Sequence, residues 1–179
     1  MVDIKNLQAI PRDTGDEPGP DWRPWEAGDD VALREAIELL FFAYRDFTAG
    51  PDRVLDAVGY GRAHHRVLHF VGRNPGITVQ DLLRILRITK QSLARVLGAM
   101  INDGYVIQDQ GTRDRRLRHL SLTEKGRALE AACARSQHER VSRALRMAGP
   151  EAVEGYRAVL AALLDDADRD AILAMIRKD

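Results

Sequence analysis

The sequence predicts a mainly α-helical chain. Three observations carry that prediction. Two short runs of apolar residues at helical spacing lie end to end with only Arg87 and Ile88 between them, the arrangement of two helices joined by a tight turn. An arginine-dense loop between two short extended runs follows at once. Long apolar stripes with a 3.6-residue period then occupy the segments on either side. Together these describe a winged helix-turn-helix with a small antiparallel β-hairpin and long N- and C-terminal dimerisation helices.

The first short helix opens at Thr78, whose hydroxyl can cap it while Asp81 stands three residues on, close to a capping box. Val79, Leu82, Leu83 and Leu86 define its buried face. Thr89 opens the second helix. Leu93, Val96, Leu97, Met100 and Ile101 form its inner stripe, and Gly104 stands where a left-handed C-cap is wanted. Tyr105-Val106-Ile107 begins an extended run, a loop holds Gly111, Arg113, Asp114, Arg115 and Arg116, and the return run ends at Leu122. Thr123 then caps a long helix to about Ala148, which Gly149-Pro150 stops.

Residues 1–29 read as a flexible N-terminal arm, rich in proline, glycine and aspartate. Trp22 and Trp25 are expected to dock on something, with the chain's own body slightly favoured over a partner's. Residues 30–58 form an N-terminal dimerisation helix and connector. The helix is capped at Asp29 or Asp30 and runs to about Phe47, with Leu33, Ile37, Leu40, Phe41 and Tyr44 as its stripe and Leu39 and Phe42 widening it. Gly50-Pro51 is expected to break the chain and begin a short helix to about Val58. Residues 59–126 make the binding region, starting with a helix over residues 59–73. Residues 127–179 supply the C-terminal dimerisation helices, striped by Val153, Tyr156, Val159, Leu160, Leu163 and Leu164 and interrupted by acids before Ile172, Leu173 and Ile176. So many apolar faces exceed what one 179-residue globule can cover, and a two-fold homodimer would cover them.

Composition narrows the function. With 45% hydrophobic residues the chain can build a core. No apolar run approaches the roughly 18 residues of a membrane span. The first residues carry no secretory signal, and the single cysteine, Cys133, fits a reducing compartment. A cytoplasmic location is expected. The formal net charge is zero, yet residues 60–127 hold 13 basic and 5 acidic residues, net +8. A basic face on an acidic body points to a polyanion.

The outward side of the second helix carries Lys90, Gln91, Ser92 and Arg95 after Thr89, the residue types that meet phosphates and base edges in a major groove. Ala94 and Gly98 leave room for close approach. In the loop, Arg113, Arg115, Arg116 and Arg118 repel one another, and a minor groove offers the compensating charge. Asp114 can fix the direction of one guanidinium. The expected partner is double-stranded DNA, read by a homodimer at a pseudo-palindromic operator.

These stretches resemble the MarR family of winged-helix transcription regulators. The TVQDLLRILRITKQSLARVLGAMINDGYV segment is similar to that family's helix-turn-helix, and D-R-R followed by LSLTEKG is similar to its wing and the helix beyond. GYGRAHHRVLHF and ITKQSL are similar to a PetP-like subgroup. The resemblance spans residues 30–176 in element order and is motif-specific only in the middle third. It implies triangular subunits, outer helices forming the dimer, and the second helix in the major groove. It also implies an Asp114–Arg116 pair whose arginine reaches the minor groove. It implies a repressor released by a small aromatic or phenolic effector bound near Phe41, Tyr44, Phe47, Tyr60, His64 and His65, with Phe42 beside them. One departure is Arg87, where the family usually has glycine.

Other readings are weaker. A winged helix can serve protein–protein assembly without reading DNA. Cys133 could sense oxidation, although its EAACARS context favours inert burial. His65 and His69 stand four apart, an acceptable metal spacing, but no third ligand is visible. Without a nucleophile elbow, phosphate loop or paired carboxylates, no catalytic residue, metal or cofactor is expected.

Overall fold

The computed structural model describes residues 30–110 and 117–177. These residues divide into two compact units. One is Glu35–Arg140; the other gathers residues 30–34 and 141–177.

In chain order the elements are α1 (Asp30–Asp56), α2 (Arg62–Arg73), β1 (Ile77–Thr78), α3 (Val79–Leu86), α4 (Lys90–Asn102), β2 (Val106–Gln110), β3 (Arg118–Leu122), α5 (Glu124–Ala148), α6 (Pro150–Ala162) and α7 (Arg169–Ile176). The three strands form one antiparallel sheet in the order β1-β3-β2. Val106 pairs with Leu122, Gln108 with Leu120 and Gln110 with Arg118. The two-residue β1 was not foreseen. It pairs Ile77 with Leu120, and the Gly76 N–H donates to the Leu120 carbonyl at 2.9 Å.

The core lies wholly within Glu35–Arg140. Leu55, Val67, Leu68, Val71, Leu82, Met100, Leu120 and Cys133 have no exposed surface, drawing every one of α1, α2, α3, α4, β3 and α5 onto one apolar centre. The caps fall where the sequence put them. Thr78 Oγ1 accepts from the Asp81 N–H at 3.1 Å. Thr89 Oγ1 accepts from Ser92 at 3.1 Å. Thr123 Oγ1 accepts from Gly126 at 3.0 Å. Gly104 ends α4 at φ +73°, satisfying one of the carbonyls that a helix end leaves unpaired.

Two boundaries differ from expectation. The chain does not break at Gly50-Pro51: α1 continues through both residues to Asp56. Proline inside a helix forfeits a hydrogen bond. Here Pro51 is fully buried beside Leu55, and the absent Cβ of Gly50 admits Ser136 of α5 into contact. That packing holds the helix together where local preference would end it. The next helix begins at Arg62 rather than Gly59. Gly59 takes φ +73° and Tyr60 turns inward with 6% of its surface exposed.

In the other unit, Pro150 occupies the first turn of α6. The acidic run at residues 165–168 lies between α6 and α7. Arg169 closes that joint, donating to the carbonyls of Ala161 at 3.0 Å and Leu164 at 2.9 Å. Neither α6 nor α7 has a buried residue.

Candidate nucleic-acid interface

The tight turn between α3 and α4 sets the geometry. Arg87 holds φ 49°, ψ 45°, the left-handed conformation that glycine adopts without cost. It is the one non-glycine residue with positive φ among the described residues. The departure at this position therefore falls on the residue whose backbone most needs glycine. Thr89 follows as N-cap, also donating its hydroxyl hydrogen to Ser92 Oγ at 2.9 Å.

From that cap, α4 presents two distinct sides. Leu93, Val96, Leu97 and Met100 are buried. Thr89, Lys90, Gln91, Ser92 and Arg95 are all exposed. A helix N-terminus is the positive end of the macrodipole, and Lys90 adds a full charge beside it. The exposed side thus offers an anion both direct charge and hydrogen-bond donors. Arg118, which pairs with Gln110 at the loop end of the hairpin, is also exposed. Arg113, Asp114, Arg115 and Arg116 lie outside the described residues. A cleft of about 600 Å³ opens between α3, α4 and the loop half of the hairpin, lined by Gln80, Leu83, Lys90, Leu97, Gln108 and Arg118 among others.

The opposite end of α4 is held by Asp103 and Lys125, which sequence reasoning missed, and by Tyr60, which it assigned to an effector site. The Tyr60 hydroxyl donates to Asp103 Oδ2 at 2.7 Å. The Lys125 ammonium donates to the Asp103 carbonyl at 2.8 Å and stands 4.1 Å from the centre of the Tyr105 ring. One signal was available: aspartate is unfavourable at a helix C-terminus, so its presence there implies a partner.

The expected effector residues are spread over several environments. Phe41 and Tyr44 are 64% and 54% exposed, and Phe47, His64 and His65 are partly buried. Tyr60 stacks on His64 at 4.2 Å with the rings 5° from parallel. Burial and the bond to Asp103 push the Tyr60 phenol well above its usual range, so it stays a donor. Burial also lowers both His64 and His65, which disfavours their charged forms.

Cys133 has no exposed surface. Burial, then Glu130, push its thiol up to about 11, away from the thiolate that oxidation requires. His69 Nδ1 lies 3.9 Å from Glu130 Oε1. Among the described residues no three His, Cys, Asp or Glu side chains are placed to hold a metal ion, and no helix is long and apolar enough to cross a membrane.

Comparison with known proteins agrees with this geometry. The sequence model of the MarR family matches residues 58–117. The chain is 55% identical over 140 residues to the HTH-type transcriptional regulator PetP of Rhodobacter capsulatus, covering 78% of this chain and 84% of that protein. It is 35% identical over 78 residues to the transcriptional activatory protein BadR of Rhodopseudomonas palustris, covering 42% of this chain and 45% of that one. Its fold is similar to that of Streptococcus pneumoniae FabT in complex with DNA, with a TM-score of 0.64, 19% identity, and coverage of 73% of this chain and 94% of that one.

Proposed function

This chain belongs to the MarR family of transcription regulators, and from that premise we propose that it is a homodimer reading a pseudo-palindromic operator in duplex DNA. Each α4 enters a major groove, with Lys90 and Arg95 on phosphate or guanine and Gln91 and Ser92 on base edges. The arginines Arg113, Arg115, Arg116 and Arg118 grip the adjacent minor groove, with Asp114 orienting Arg116. The observation that carries this reading is the exposed polar side of α4, with Thr89, Lys90, Gln91, Ser92 and Arg95 clear of the core, in a segment of net charge +8. FabT, a structural neighbour, is captured in complex with DNA.

The dimer rests on apolar surface. Ile37, Leu40, Phe41, Val159 and Leu163 are each at least 49% exposed in the single chain, and large exposed apolar patches commonly mark association surfaces. Pairing through the outer helices covers it and sets the distance between two recognition helices.

Within the same proposal the protein is a repressor released by a small aromatic effector near Phe41, Tyr44, Phe47, Tyr60, His64 and His65. Tyr44, 54% exposed, leaves aromatic surface open to such a ligand. BadR carries the name of an activator, so the sign of regulation needs its own measurement: transcription from the operator, with and without the protein, which is expected to fall.

Selection of duplexes from a random pool tests the core of the reading, repeated with aromatic acids that are expected to release the enriched site. No enrichment would overturn DNA reading, and no release would overturn the effector. Arg116→Ala is expected to weaken binding to every duplex about tenfold and to reduce the slope of log affinity on log salt by about 1. Unchanged affinity and slope remove the wing from the interface.

A further inference from the structure

Asp103 stands at the C-terminal end of α4, where its carboxylate meets the negative end of the helix macrodipole. Its own helix gains nothing from it. Two neighbours offset the cost: the Tyr60 hydroxyl on Oδ2 at 2.7 Å and the Lys125 ammonium on the carbonyl at 2.8 Å. A hydrogen bond to a carboxylate is short, directional and stronger than one between neutral groups. It therefore constrains position as well as contributing energy.

Tyr60 is itself fixed on three sides. Its N–H donates to the Leu55 carbonyl, in the last turn of α1, at 2.9 Å. Its ring lies parallel to His64 at 4.2 Å and meets the edge of Tyr105 at 5.3 Å. A continuous path thus runs from the end of α1, through one tyrosine, to the residue that closes α4. In the sequence Tyr60 and Asp103 stand 43 residues apart.

We propose that Tyr60 is a positioning residue for DNA readout: through Asp103 its hydroxyl fixes the C-terminal end of α4 against the α1–α2 turn, and so sets the aim of Lys90, Gln91, Ser92 and Arg95. This rests on the reading of α4 as the helix that enters the major groove. Flexible side chains on phosphates tolerate a small shift of the helix, whereas bonds to base edges do not. Loss of the Tyr60 bond therefore removes discrimination before it removes affinity for DNA in general. The same path gives α1, which carries the proposed dimer surface, a direct hold on the reading helix.

Tyr60→Phe keeps the ring contacts and deletes only the donor. Asp103 is exposed, so water replaces the hydroxyl and the melting temperature stays close to that of the wild type. The variant is expected to bind a duplex selected by the wild-type protein about tenfold more weakly, with an unrelated duplex of equal length bound as before. Asp103→Asn, which retains an acceptor oxygen, is expected to stay within about twofold of wild type. Equal affinity for the selected duplex, or equal losses on both duplexes, overturns the proposal. Hydrogen exchange without DNA separates this inference from DNA reading itself. In Tyr60→Phe the amides of Asp103, Gly104 and Tyr105, which bond to Ala99, Ile101 and Met100, are expected to exchange about tenfold faster. Unchanged exchange overturns the positioning role whatever the protein binds.

Discussion

Two regions of this chain carry the same kind of sequence and end in opposite situations. The helices α2 and α4 bury the centre of their apolar stripes, from Val67 and Leu68 to Leu93 and Met100. The helices α6 and α7 carry weaker apolar stripes and bury no residue at all, and Val159 and the capping Leu163 are 61% exposed. Periodicity records that a face will be covered. It does not record which chain does the covering. The difference separates a region that is complete within one copy from a region whose partner is proposed to be a second copy.

The largest effect should come from charging the uncovered face. Val159→Asp with Leu163→Asp places four unpaired carboxylates in the proposed dimer interface, and isolated buried charges cost several kcal/mol each. Sedimentation is expected to show a monomer at micromolar concentration with the helical signal retained. A persistent dimer would place the interface elsewhere and dissolve the contrast.

Leu68→Ala attacks the covered side. Truncating a fully buried leucine leaves a cavity and is expected to cost about 3 kcal/mol in denaturant unfolding. A loss under about 1 kcal/mol would mean that this core is not the tight one its burial describes.

Arg87→Gly probes the turn between the two helices. An L-residue in the left-handed region pays about 1–2 kcal/mol, part of which glycine returns as unfolded-state entropy. The net expectation is a gain of up to about 1 kcal/mol, read from the denaturant midpoint. Destabilisation would show that contacts of the Arg87 side chain outweigh its backbone cost.

The smallest effect concerns pH. Burial holds His65 below its ordinary value of 6.5, with His69 acting in the same direction and Asp52 and Glu130 against it. The unfolded chain therefore takes up this proton first as pH falls. The contribution to stability is whole above pH 6.5 and is lost as pH drops through the folded value. Comparing wild type with His65→Gln at pH 7.5 and 5.5 should show the wild type losing more; equal losses would assign the pH dependence to other groups.

What the sequence made legible was local. Thr78, Thr89 and Thr123 announce their helices because the capped N–H lies three residues away, and Gly104 ends α4 because the required φ belongs to glycine. The winged helix-turn-helix follows from those signals and from the stripe between them, and the exposed residues of α4 follow from the same phase. The misreadings were non-local. Pro51 is retained inside α1 by burial beside Leu55 and by contact of Gly50 with Ser136, neither of which lies nearby in the chain. The two residues of β1 are a strand only because Leu120 and His119 stand opposite. Asp103 signals a partner without saying which, and its pairing with Tyr60 exists only after folding.

Thr78 belongs to two structures at once. It is the last residue of β1, paired with His119 of the central strand, and it is the cap of α3. The His119 Nδ1 sits 2.8 Å from the Gly76 carbonyl, where only a donating ring nitrogen is accommodated. The hairpin is consequently not a detachable loop. Anyone transplanting the wing into a related regulator to change its operator preference should move residues 76–78 together with residues 106–122. A graft of the hairpin alone would leave its middle strand with a foreign neighbour and α3 with a misplaced cap.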